Sequence, residues 1–269
     1  MLGHLEQESS ENYLETIYQL TEILKRIRAI DIVKHLSLSR ASVSRAISVL
    51  KEKQYVYIDD SGYIVLTEEG VKKAKHIWKI HKLLVKLLTC VCKVTEEIAD
   101  VDACRIEHVL SDETIEKIEN FVKENHKEAN LNEDSDDFLA GSSHFPQNNK
   151  NTESFENYLE AIFELSQNSD HVRATHIASH LNLTRASVSR AISLLKEKEC
   201  IEVSDKGFIT LTESGKEIAQ KVYHRHIDLS YFLENFVKVS REIALKDACR
   251  IEHLISEETI TGLRSYMKK

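Results

Sequence analysis

The sequence predicts a mainly α-helical fold with small β-hairpins, built twice over from one unit, and three observations predict it. Sliding the 269 residues against themselves by 145 positions superposes RASVSRAIS at Arg40 on Arg185, ENYLE at Glu11 on Glu156 and DACRIEH at Asp102 on Asp247, with no net insertion. Apolar residues recur at helical spacing through most of each copy. Short runs rich in β-branched and aromatic residues flank Asp-Asp-Ser-Gly in the first copy and Ser-Asp-Lys-Gly in the second, the pattern of a hairpin.

Taken in order, Tyr13, Ile17, Leu20 and Leu24 define a first amphipathic helix, and a short helix follows near Ala29 to Leu36. Ser39 is placed to cap a third helix running to about Gln54, with Val43, Ile47 and Leu50 on its buried face. Tyr55 to Ile58 and Tyr63 to Leu66 form the hairpin, and helices follow over about Thr67 to Leu88, Glu96 to Leu110 and Ser111 to Lys123. The same order recurs in the second copy. Between the copies, residues 126–153 are rich in Asn, Ser, Asp and Glu and hold the chain's one proline, Pro146, so they read as a linker. The expected divisions are 1–66, 67–125, 126–153, 154–211 and 212–269.

A hydrophobic content of 42% is enough to build two cores, and no apolar stretch approaches the length of a membrane span. The start, MLGHLEQESS, has neither the basic end nor the apolar run of a signal peptide, and the five cysteines have no framework spacing, so the expected compartment is the reducing cytoplasm. The net charge of −8 argues against a nucleic-acid partner until its distribution is considered. From Lys127 to Glu153 six acidic residues face two lysines, a net of −4, so half of the excess lies in the linker. Ser39 to Lys53 and Thr184 to Lys198 each carry +3.

Those basic segments coincide with the third helix of each copy. A short helix, a tight turn and a third helix opening on small polar and basic residues form a helix-turn-helix, and the hairpin behind it forms a wing. Each copy therefore reads as a winged helix-turn-helix followed by a helical domain. Arg40, Ser42, Ser44 and Arg45, with Arg185, Ser187, Ser189 and Arg190, are the candidates for phosphate and base contacts in double-stranded DNA.

A second constellation lies downstream. Cys104, Glu107 and His108 stand at i, i+3 and i+4, one stripe of a helix, and thiolate, carboxylate and imidazole together are transition-metal ligands. Asn12 and Glu15 on the first helix are spaced to close such a site from another side, and His81 lies on the apolar face of the long helix. A lone histidine on such a face is ordinarily a hydrogen-bonded core residue. Here the whole set recurs as Asn157, Glu160, His226, Cys249, Glu252 and His253.

With NYLETIY at Asn12, RASVSRAISVLKEK at Arg40, LT at Leu66, His81 and DACRIEH at Asp102 on the page, the chain resembles the DtxR/MntR family of iron- and manganese-dependent repressors, twice over. The resemblance implies a metal held between the first helix and the helices after the wing, which also pair two subunits. It also shows departures. Asn12 and Asn157 stand where iron-type members have Met and manganese-type members Asp. Glu15 and Glu160 match the manganese type, whereas Cys104 and Cys249 match the iron type. Val85 and Ser230, and Asp100 and Leu245, replace ancillary ligands. The thiols favour Fe(II) as corepressor, with Mn(II) next and Zn(II) or Co(II) as in vitro substitutes.

The expected function is metal-dependent repression of metal-homeostasis genes from a near-palindromic operator, with the two units acting as an intramolecular pseudo-dimer or as a homodimer of tandem chains. The rival classes are a winged-helix regulator of a small organic ligand, with the Cys/Glu/His cluster structural, and a metalloenzyme. The second rival lacks a separate base or nucleophile.

Overall fold

The computed structural model describes residues 2–125, 150–169 and 171–268, and these form two compact units. Most of the predicted linker, residues 126–149, lies outside the described residues, and its last four, 150–153, open a helix.

The first unit begins with α1 (Leu2–Leu24), α2 (Ala29–Leu36) and α3 (Arg40–Glu52). Leu14, Ile17, Ile32, Val43 and Leu50 meet in one core, each with essentially no solvent exposure, because their spacing puts them on the inner faces of the three helices, and Ile27 joins them from the segment between α1 and α2 that bridges to Ile64. Leu24, expected on that face, is instead 49% exposed at the last position of α1. Ser39 caps α3 by accepting a hydrogen bond from the Ser42 backbone N–H at 3.1 Å. After α3 the chain turns at Gln54, whose φ is +60°, into β1 (Val56–Ile58) and β2 (Ile64–Leu66), paired antiparallel with Tyr57 opposite Val65. The Asp59 carboxylate accepts from the N–H groups of Ser61 and Tyr63, and Gly62 takes the positive φ, +80°, that closes the hairpin.

Thr67 caps α4 (Glu68–Leu87), which continues into one wide turn, Leu88–Cys92. Then come α5 (Glu96–Ile106) and α6 (Asp112–Asn125). The predicted fifth helix reached Leu110; α5 stops at Ile106, and Glu107 and His108 lie in the turn that follows.

The second unit repeats the order with α7 (Lys150–Asn168), α8 (Ala174–His180), α9 (Arg185–Glu197), β3 (Ile201–Val203), β4 (Ile209–Leu211), α10 (Glu213–Asn235) and α11 (Arg241–Ile251). Its core gathers Leu159, Ile162, Ile177, Val188 and Leu195.

The last helix, α12 (Glu257–Met267), comes from the second repeat but is built into the first unit, which comprises Met1–Gln147 and Ile255–Lys269. The sequence division at 212–269 kept it with its own repeat. Within the first unit, the fully buried Asp102 carboxylate accepts hydrogen bonds from the Ser256 N–H (3.1 Å), the Ser256 hydroxyl (2.6 Å) and the Thr259 hydroxyl (2.7 Å), so it caps α12. Gly262 lets α12 press on the wide turn: a Cβ there would stand 1.9 Å from the Cys92 carbonyl oxygen. Phe121 meets Tyr266 edge-on beside it. Among the described residues no helix is long and apolar enough to cross a membrane.

Candidate metal centre and nucleic-acid interface

In the first unit, α1 brings Glu11, Asn12 and Glu15 to the turn after α5, which carries Glu107 and His108, while α4 brings His81. Donor atoms of Glu15, Glu107 and His108 all lie within 4.8 Å of one another, and those of Glu160, Glu252 and His253 do the same in the second unit.

Around the first triad, His81 Nδ1 is 2.8 Å from Glu107 Oε2, and its Nε2 is 3.0 Å from Asp100 Oδ1. The Trp78 ring stacks on this imidazole with centroids 5.2 Å apart. His108 Nδ1 reaches Glu11 Oε2 at 3.1 Å, and Lys73 holds the other oxygen of Glu11 at 2.8 Å. His108 Nε2 and Glu107 Oε1 stand 3.1 Å apart but off the line of a hydrogen bond; both, with Asn12 Oδ1, are buried without a hydrogen-bond partner. Buried polar atoms are ordinarily satisfied, so the unsatisfied Glu107 Oε1 and His108 Nε2, 3.1 Å apart, fit a cation. In the second unit His226 Nδ1 is 2.8 Å from Glu252 Oε2, His253 Nδ1 is 2.8 Å from Glu156 Oε2, and His253 Nε2 is 2.5 Å from Asn157 Oδ1. Glu252 Oε1 is again buried and unsatisfied.

The electrostatics fit the same occupant. Burial, and then the neighbouring Glu107 charge, push the Glu15 carboxyl up to about 8; burial and Glu252 push Glu160 to about 7. Burial opposes ionisation of Glu107 as well, but the His81 charge and the imidazole contacts outweigh it and hold Glu107 at about 2. Burial likewise disfavours the charged imidazoles, yet Glu107 and Glu11 raise His108 to about 10, and Glu156 and Glu252 raise His253 to about 9. Protons on imidazole and carboxyl therefore neutralise each cluster, where a divalent cation would be the alternative counter-charge.

The structure thus brings Glu15, Glu107 and His108, and Glu160, Glu252 and His253, together, with Asn12, Asn157, His81 and His226 near them. The Cys104 and Cys249 thiols are not members of the triads. Burial, with the Glu107 and Glu15 charges, raises Cys104 well above the ordinary thiol range; burial and Glu252 push Cys249 to about 12. Sequence reasoning missed Glu11 and Glu156. Their signal was the repeated ENYLE, which sets Glu11 one turn from Glu15 and Glu156 one turn from Glu160.

In each winged-helix head, Arg40, Ser44 and Arg45 on α3 and Arg185, Ser187, Ser189 and Arg190 on α9 are exposed; Ser42 is half-buried, its hydroxyl 2.9 Å from that of Ser39. Against the wing, Arg28 at the start of α2 lies 4.5 Å above the Tyr63 ring and donates to the Ser61 carbonyl at 2.9 Å, and Arg173 lies 4.5 Å above the Phe208 ring.

Two family models match each repeat. The iron dependent repressor N-terminal DNA binding domain covers residues 7–62 and 150–207, and the iron dependent repressor metal binding and dimerisation domain covers 67–133 and 212–269. The chain belongs to the iron-dependent repressor family. As a member it is a DNA-binding, metal-binding transcription regulator built as two tandem units. It is similar to an uncharacterised HTH-type transcriptional regulator of Methanocaldococcus jannaschii, 30% identical over 119 residues, which are 44% of this chain and 95% of that one. The transcriptional regulator MntR of Escherichia coli O6:H1 is 31% identical over 120 residues, 44% of this chain and 75% of the relative. Among solved structures, that of the manganese regulator SloR aligns with a TM-score of 0.40 and 23% identity over 42% of this chain and 53% of the other. In this family member each triad joins the two matched domains, with Glu15 or Glu160 from the DNA-binding part and the Glu-His pair from the metal-binding part.

Proposed function

We propose that this chain represses metal-homeostasis genes with Fe(II) or Mn(II) as corepressor, its two fused units acting as an intramolecular pseudo-dimer on a near-palindromic duplex. The observation that carries the reading is that each buried carboxylate–imidazole triad straddles the DNA-binding and metal-binding domains of its repeat. A divalent cation would supply the charge that lets Glu15 and Glu107, or Glu160 and Glu252, stay ionised together. Glu15 and Asn12 on α1 would then hold the winged-helix head against Glu107 and His108. A head so fixed presents α3 or α9 in one orientation, and better binding to that state is all a corepressor requires. Arg40, Arg45, Arg185 and Arg190 would meet the duplex, with Ser42, Ser44, Ser187 and Ser189 beside them.

Oxygen and nitrogen donors serve Mn(II) as well as Fe(II), and the preference for Fe(II) rested on the thiols of Cys104 and Cys249, which stand outside the triads. The pseudo-dimer reading is supported by α12, which the second repeat contributes to the first unit through Asp102 and Gly262. Calorimetric titration of the full chain with Mn(II), and anaerobically with Fe(II), tests the centre: Glu107→Gln with Glu252→Gln should weaken binding by more than about tenfold. Unchanged affinity would leave the clusters structural and return the organic-ligand reading.

A further inference from the structure

The two centres occupy equivalent places, yet one contact divides them. In the first, His81 turns Nδ1 to the Glu107 carboxylate of the triad, and its other nitrogen, Nε2, is held by Asp100 at 3.0 Å. In the second, His226 turns Nδ1 to Glu252 in the same way, but Leu245 stands at the position of Asp100. Among the described residues no carboxylate meets His226 Nε2. The His81 side chain is 7% exposed and that of His226 21%.

A carboxylate on the far nitrogen of an imidazole fixes the tautomer and the ring plane and makes the near nitrogen a better donor. Removing such a partner typically weakens metal binding by about 10- to 100-fold. Resting on the metal-sensing reading above, we propose that the two centres are graded: Asp100, acting through His81, makes the first bind a divalent cation about 10- to 100-fold more tightly than the second. Asp100 is a positioning residue in this account, not a ligand.

Two other differences bear on the order of filling. Glu164, where the first repeat has Gln19, adds a carboxylate near Glu160, but its half-buried side chain is paired with His180 at 2.9 Å, which offsets part of its pull on a cation. Arg225, where the first repeat has Ile80, donates to the Glu252 carbonyl at 3.3 Å and sets a positive charge beside the second centre, as Lys73 on Glu11, where the second repeat has Ile218, does beside the first. The balance leaves Asp100 as the deciding group. The consequence is a stepwise response, in which one reading head is fixed at low metal and the second only at higher metal.

Anaerobic Co(II) titration of the full chain, followed by visible absorption and by calorimetry, tests the grading. The expected result is two phases separated by about 10- to 100-fold. Asp100→Leu should merge them at the weaker end, and Asp100→Glu should keep part of the separation. Leu245→Asp, at a position already 41% exposed, should draw the weaker phase toward the tighter one, a gain that misfolding does not produce. A single phase in the unaltered chain, or phases indifferent to both substitutions, overturns the grading. So does loss of one bound ion, rather than of affinity, in Asp100→Leu, which would make Asp100 a ligand. Absence of any Co(II) binding would instead overturn the metal-sensing reading itself.

Discussion

Glu15 and Glu107 are neighbours with opposite leanings, one carboxyl raised to about 8 and the other held at about 2. For Glu15, and for Glu160 at about 7, the folded state keeps a proton that the unfolded chain gives up above about 4.5. That contribution is complete below the unfolded value and is lost as pH rises through the folded one. His108 and His253, raised to about 10 and 9, have the same sign above their ordinary 6.5. Metal-free protein should therefore lose thermal stability between roughly pH 5 and 8, and excess Mn(II) should flatten the loss by taking the place of the protons. Scanning calorimetry across that range checks this; a midpoint that climbs with pH would contradict it. The Glu107–His108 pair was legible from the repeated Cys-x-x-Glu-His, but the same stripe named Cys104, whose thiol stands outside the triad, because α5 ends at Ile106 and the pair lies in the turn beyond it. The role of Asp102 was not legible, although it opens the repeated DACRIEH, because its partners Ser256 and Thr259 lie 154 and 157 residues away and local pattern carries no trace of them.

Helices α3 and α9 show an element whose start, face and end were all readable: a Ser or Thr cap, an apolar stripe, and exposed arginines in the first turns. Alanine at a base-reading arginine among Arg40, Arg45, Arg185 and Arg190 should cost about 1–3 kcal/mol on a specific duplex, measured by anisotropy at fixed salt. Equal affinity would remove these helices from the interface. The end of α5 was less readable, since helical spacing continues to Leu110 while Glu107 and His108 are drawn into contacts with His81 and Glu11. The wide turn at Leu88–Cys92 also escaped, as one widened turn shifts an apolar pattern too little to register. Its packing gives an element-scale prediction: Gly262→Ala drives a methyl into the Cys92 carbonyl and should lower stability by about 1–3 kcal/mol. Denaturant unfolding reads this directly, and an unaltered midpoint would show that α12 does not bear on that turn.

On the scale of the whole chain, the repeat was the clearest signal in the sequence, and the family models match both copies. The placement of α12 in the first unit was invisible, because a helix with a good apolar face packs equally well by pattern on either repeat. Since one chain holds two reading heads and two triads, one chain should saturate a two-half-site duplex, and native mass measurement should find that stoichiometry; a minimum of two chains would instead favour the homodimer of tandem chains. On the proposed function, metal in these triads licenses DNA binding. The most direct test is selection of duplexes from a random pool by the full chain, with Mn(II) or Fe(II) present and again with chelator. Enrichment of a two-half-site sequence is expected only with metal and should be abolished by Glu107→Gln with Glu252→Gln, whereas equal enrichment under chelation would show that the triads do not control the reading heads.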